Sequence, residues 1–181
     1  MKTIVRGSIA VVMLGLAGCA SVPPLQHVLL SPPQSERAPA RSSDWTVRRV
    51  RVPEYLDSYD VQMRTDDYVL TRLKDAKWAE RLPLAMTRLL QQTIDEKLVS
   101  NRDRPYQVDV SVDTFEPQSE GQIVFSSRWT VTDTSDDSVV ARDNTLIQQA
   151  LPGAARDPAA IGRAMSEAVR QLAFRIVAEA G

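Results

Sequence analysis

One cysteine stands in this 181-residue chain, at position 19, so no intrachain disulfide is available and any fold must be held by packing. Its setting is as constraining as its solitude. Met1 to Arg6 carries two positive charges, Lys2 and Arg6, and Gly7 to Gly18 is an uncharged apolar run of about 12 residues that finishes on small side chains. That layout is a signal peptide's. The run is too short to span a hydrocarbon core, which needs roughly 20 apolar residues. The fold is therefore expected from position 19 onward.

Leu16-Ala17-Gly18-Cys19 resembles the lipobox of bacterial lipoproteins. The resemblance implies cleavage before Cys19, a diacylglyceryl group on its sulfur and an acyl group on the new amino terminus. Two or more acyl chains make a stable anchor, at about 0.8 kcal/mol per buried CH2. Ala20 stands where an aspartate would retain such a protein at the inner membrane, which implies the periplasmic face of the outer membrane. The competing readings are a plain secretory signal and an uncleaved leader.

Cleavage would remove Lys2 and Arg6, leaving 20 basic against 23 acidic side chains and a formal charge of −3. That balance speaks against nucleic acid as a main partner. The 163 residues from Cys19 onward fit one domain with a proper core. No repeat with a period of 20 to 50 residues is visible in them.

Residues 20 to 43 are rich in Pro, Ser and Ala around one apolar stretch, His27-Val28-Leu29-Leu30. Residues 26–30 read either as an edge strand, leaving a tether of at most ~20 Å, or as part of a flexible linker. Thr46 to Val52 alternates as a strand that Pro53 ends. Asp60 to Leu73 is a second extended region, with Tyr68-Val69-Leu70 as its apolar centre and a tight turn at Asp66-Asp67. Leu82, Met86, Leu89, Leu90, Thr93, Ile94 and Leu98 then change the period to three and four, predicting a helix over 82–98 with Pro83 in its first turn.

Alternation returns at Val108, Val110 and Val112, and again at Ile123, Phe125, Trp129 and Val131, with turns expected at Glu116–Gly121 and Asp133–Ser138. Residues 139–149 form a weaker third strand. Asp157 and Pro158 are the cap and first residue of a last helix, whose stripe is Ile161, Met165, Ala168, Leu172 and Ile176. Arg163–Glu167 and Arg175–Glu179 are expected as surface pairs four residues apart. One apolar face per element predicts an α+β two-layer sandwich, an antiparallel sheet with two helices on one face.

Little in the chain suggests catalysis. His27 is the only histidine and lies outside the main elements, and no G-x-S-x-G, Walker or G-x-G-x-x-G motif is present. Asp133, Asp136 and Asp137 read as turn formers rather than calcium ligands, which would need convergent oxygens. Arg48-Arg49-Val50-Arg51 reads as edge protection before it reads as an anion site. Tyr55, Trp78 and Trp129 read as core or core-rim anchors before they read as the lining of a lipid groove. No cofactor or metal is called for.

Val52-Pro53-Glu54-Tyr55-Leu56-Asp57, Arg64-Thr65-Asp66-Asp67-Tyr68 and Trp78-Ala79-Glu80-Arg81-Leu82 resemble segments of the PqiC/YmbA family of ABC-type transport auxiliary lipoproteins. On that pattern Pro53, Tyr55 and Leu56 belong to a segment that closes an early strand, and Trp78 begins the segment that opens the first helix. Arg81 departs from it, standing where proline is common. The resemblance implies a signal peptide over 1–18, a lipidated tether with a possible edge strand over 19–45 and the family's domain over 46–181. It further implies a non-catalytic component of a lipid or hydrophobic-solute transporter, an MCE-domain protein as partner, and self-association as a possibility. The rivals are an envelope-assembly lipoprotein without a transport role and a lipoprotein hydrolase with an unrecognised carboxylate pair.

Overall fold

The computed structural model describes residues 24–32, 43–98 and 104–181. The leader and Cys19 lie outside the described residues. Seven strands form one sheet: β1 (Gln26–Val28), β2 (Thr46–Val47), β3 (Asp60–Asp66), β4 (Val69–Trp78), β5 (Tyr106–Gln118), β6 (Gln122–Asp133) and β7 (Val139–Ala150). Two helices, α1 (Leu82–Lys97) and α2 (Pro158–Ala180), pack against each other and on the sheet. The α+β sandwich is thus as expected, and the sheet is mixed where a purely antiparallel one was predicted. Its lateral order is β1-β4-β3-β5-β6-β7, with β2 also on β5.

The meander β5–β6–β7 follows directly from the alternation. Val108, Val110, Ile123, Phe125, Trp129, Val131 and Ile147 point to the helices and are buried. Their neighbours Asp109, Ser111, Arg128 and Thr130 face the other side. The first connection is shorter than predicted, because β5 runs on through Glu116 to Gln118 and the chain reverses at Gly121, whose φ of +84° suits glycine. In the second turn Asp133 accepts hydrogen bonds from the Ser135 N–H and hydroxyl, and Asp136 accepts one from the Ser138 N–H. The acidic cluster there makes Asx turns.

Helix α1 starts with Pro83 in its first turn and buries Leu82, Met86, Leu89, Leu90, Thr93 and Ile94, as the period predicted. In α2 the Asp157 carboxylate accepts from the Ala159 N–H, and the whole predicted stripe is buried. On its outer side Arg163 lies 4.0 Å from Asp157, while Glu167 pairs with Arg170, so the expected Arg163–Glu167 register is replaced.

The amino-terminal half brings the surprises. Residues 26–28 take the edge-strand alternative, with β1 parallel to β4 in the register Gln26↔Ala76 and Val28↔Trp78. Strand β2 is only two residues long, where the alternation predicted Thr46–Val52. After Arg48, whose N–H still donates to the Val108 carbonyl of β5, the chain is drawn toward α1, whose Thr87 hydroxyl accepts from the Val50 N–H. It returns to β5 only where Arg51 bridges Ser111. One edge of β5 therefore receives β2, Arg51 and β3 in succession.

The extended region beyond residue 60 resolves into the hairpin β3–β4, and β4 continues to Trp78, five residues past the predicted end. Its predicted apolar centre is at the tip instead, with Tyr68 94% exposed.

Candidate functional site

Of the family-pattern residues, Leu56 and Trp78 lie in the core, while Tyr55 reaches a residue on the other face of the sheet. The Pro53 carbonyl accepts from the Leu56 N–H, closing a 3-10 turn over Glu54–Leu56 that buries Leu56 in the core. Trp78 ends β4, fully packed, and its N–H donates to the Tyr59 carbonyl. The segment that Trp78 begins leads into the helix at Leu82, where the period predicts its start. Arg81 joins the two segments: its guanidinium donates to the Asp57 carbonyl at 2.9 Å and meets the Asp57 carboxylate at 2.8 Å. The departure from proline at 81 thus supplies a clasp.

Tyr55 points to a residue that the sequence reading left in a turn. Glu116 is paired across the ladder with Val124, on the sheet face away from the helices, yet it is fully buried. The Tyr55 hydroxyl donates to Glu116 Oε2 at 3.1 Å, and the Phe115 N–H donates to the same oxygen at 3.0 Å. Arg64 grips Glu116 Oε1 through Nε at 2.9 Å and Nη2 at 2.5 Å. Its other terminal nitrogen donates to the Asp67 carbonyl in the hairpin turn.

The electrostatics follow from that geometry. Burial first, then the negative Glu116 and the hydrogen bond to it, push the Tyr55 phenol up from 10.0 to about 12, with Arg64 opposing. The hydrogen bond to Glu116 first, and its charge, hold Arg64 protonated more firmly still, against desolvation. A carboxylate neutralised by a guanidinium and capped by a neutral phenol is a structural lock. It presents no free base to a substrate.

The remaining candidates are surface features. Arg48 and Arg51 share Asp109 at 3.7 and 3.6 Å, and all three arginines of that run are exposed. Ion pairs this open contribute little to stability. Trp129 donates through Nε1 to the Thr145 hydroxyl inside the core, so Trp129 and Trp78 are both core anchors. His27 is exposed on β1 beside Lys77. Among the described residues no group of three or more His, Cys, Asp or Glu side chains is placed to hold a metal ion, and no helix is long and apolar enough to cross a membrane.

A groove of about 540 Å³ lies between β1 and the first turns of α2. Glycine at 162 lets α2 approach β1 closely here: a Cβ there would sit 2.8 Å from Val28 Cγ1. The Ser166 hydroxyl donates to the Gly162 carbonyl and accepts from the Ser31 N–H, fixing the chain as it leaves β1. Leu29 and Arg163 stand at the rim, both exposed.

Fold and site together define a small α+β module with a locked polar clasp. Residues 27–177 match the model of the ABC-type transport auxiliary lipoprotein component, and the chain belongs to that family. No curated protein matches it in sequence. Among solved structures it is similar to an uncharacterized protein at 16% identity and a TM-score of 0.71, covering 87% of this chain and 99% of the other. A Xanthomonas campestris protein gives 18% identity and a TM-score of 0.60, over 86% and 90% of the two chains. At these identities the likeness establishes the fold.

Proposed function

We propose that this protein is a non-catalytic lipoprotein subunit of an ABC-type transporter that moves lipid or hydrophobic solute across the cell envelope. Its leader over 1–18 is removed and Cys19 is acylated. The anchor holds the domain at the periplasmic face of the outer membrane, where it docks an MCE-domain protein that bridges the periplasm.

The observation that carries this reading is the family match over residues 27–177 on a chain whose only cysteine ends an export-type leader. The position of β1 supports it further. With Gln26 already in the sheet, the domain begins seven residues after Cys19, a reach of at most about 25 Å when extended. Anchoring confines the search for a partner to a surface and raises its effective concentration.

Two measurements test the proposal. Cys19→Ala is expected to abolish recovery in the membrane fraction while the domain stays folded by circular dichroism; retention in the membrane pellet would remove the anchor from the account. Affinity capture of the wild-type protein from detergent-solubilised envelopes is expected to recover an MCE-domain protein. Recovery of peptidoglycan or barrel-assembly partners alone would favour the envelope-assembly reading.

A further inference from the structure

We propose that the face formed by β1 and the first half of α2 is a second contact with the bilayer, seated on the phospholipids of the leaflet that holds the anchor. The proposal rests on acylation of Cys19, and three features of the described residues point to it.

The first is position. Six peptide units separate Cys19 from Leu25, so Leu25 stays within about 22 Å of the acylated residue whatever path the chain takes. No other part of the sheet is tied so closely to the membrane surface.

The second is composition. Leu25 and Leu29 flank β1 and are 49% and 54% exposed, on a strand whose other apolar residue, Val28, is buried. Two half-exposed leucines four residues apart, at the foot of a lipid tether, match the shallow apolar insertion by which interfacial proteins supplement an anchor.

The third is the groove. It opens beside Leu29, where Gly162 lets α2 close on Val28, and Arg163 lines it with Asp157 as its ion-pair partner, 4.0 Å away. That contact is long enough to leave the guanidinium available to a phosphate, which it can grip with two parallel N–H groups. An apolar floor beside an arginine is complementary to a glycerophospholipid, whose phosphate and upper acyl region have the same juxtaposition.

Seated this way, the domain has a fixed orientation. The β6–β7 turn, on the part of the sheet farthest in strand order from β1, is then directed away from the leaflet.

The test uses the full acylated protein reconstituted in vesicles of phosphatidylethanolamine and phosphatidylglycerol. With Cys19 acylated, the thiol of Leu29→Cys is the only one free to take an environment-sensitive fluorophore. Asp136→Cys, in the exposed β6–β7 turn, is the control. Flotation of the protein with the vesicles reports the anchor separately.

On floating vesicles the Leu29 probe is expected to shift to the blue and to be quenched by lipids spin-labelled near the headgroup, several-fold more than the control. Adding Arg163→Glu to the labelled variant is expected to reduce that quenching. A Leu29 probe in water on vesicles that carry the protein overturns the proposal. So does shielding that rises with protein density and ignores the spin label, which would mark the face as a contact between copies. Failure to float counts instead against acylation.

Discussion

The sheet is held together in two different ways on its two sides. In the meander the inward row of β5 and β6 is buried and mostly apolar, Ser127 and Asp133 being the polar exceptions on β6, so the ladder and the core stabilise the same registry. The hairpin β3–β4 has a sparser face: Val61 and Met63 of β3 are buried, but of the ten residues of β4 only Ala76 and Trp78 are. What fixes it to β5 is the Arg64–Glu116 pair, backed by a single bridge between Arg64 and Gln118. Where apolar area is scarce, a buried ion pair specifies the contact and carries a desolvation cost that only a complete set of partners offsets. Glu116 has that set in Arg64, Tyr55 and the Phe115 amide.

The contrast can be broken from either side. Phe125→Ala, which removes a fully buried ring stacked 4.6 Å from Phe115, should cost about 4 kcal/mol and lower the urea midpoint of the whole domain. Arg64→Met should cost about 3 kcal/mol, because it strands a buried carboxylate. Its signature is local: hydrogen exchange should speed up in β3 and β4 before the meander. Uniform acceleration would mean that the two regions do not differ in the way described. Adding Glu116→Leu to Arg64→Met should restore part of the loss, since the unpaired charge is then gone.

Tyr55→Phe is the mildest, at about 1 kcal/mol for one hydrogen bond to a carboxylate that keeps two other donors. It also sharpens the comparison through pH. The folded phenol titrates near 12 and the unfolded one near 10, so the unfolded chain loses its proton first. Stability from this group is complete below pH 10 and falls as pH rises toward 12. Alkaline unfolding should be shallower in Tyr55→Phe over that window.

The same contrast explains what could be read from the sequence. Both helices and the meander announce themselves by period, because their burial is local in sequence and regular in space. The clasp does not. Tyr55, Arg64 and Glu116 are 61 and 52 residues apart in the pairs that matter, and Glu116 lies just before a Pro, a Ser and a Gly that together suggest a turn. An irregularity between Val112 and Thr114 then reverses the alternation, placing Phe115 inward and Glu116 outward. Tyr55 and Arg64 both stand in segments that resemble the family, whereas nothing in the sequence singles out Glu116 as their partner. Strand β2 was overestimated for a related reason: the Thr87 side chain on α1 competes for the Val50 backbone that the sheet would otherwise use.

Because one edge of β5 collects three successive segments from earlier in the chain, that side of the sheet is incomplete until residues 106–118 stand beside them, although β3 already has β4 as its hairpin partner. Their closure comes late and demands long loops to be ordered first. A chain released amino terminus first thus cannot close this edge until well over half of it has emerged.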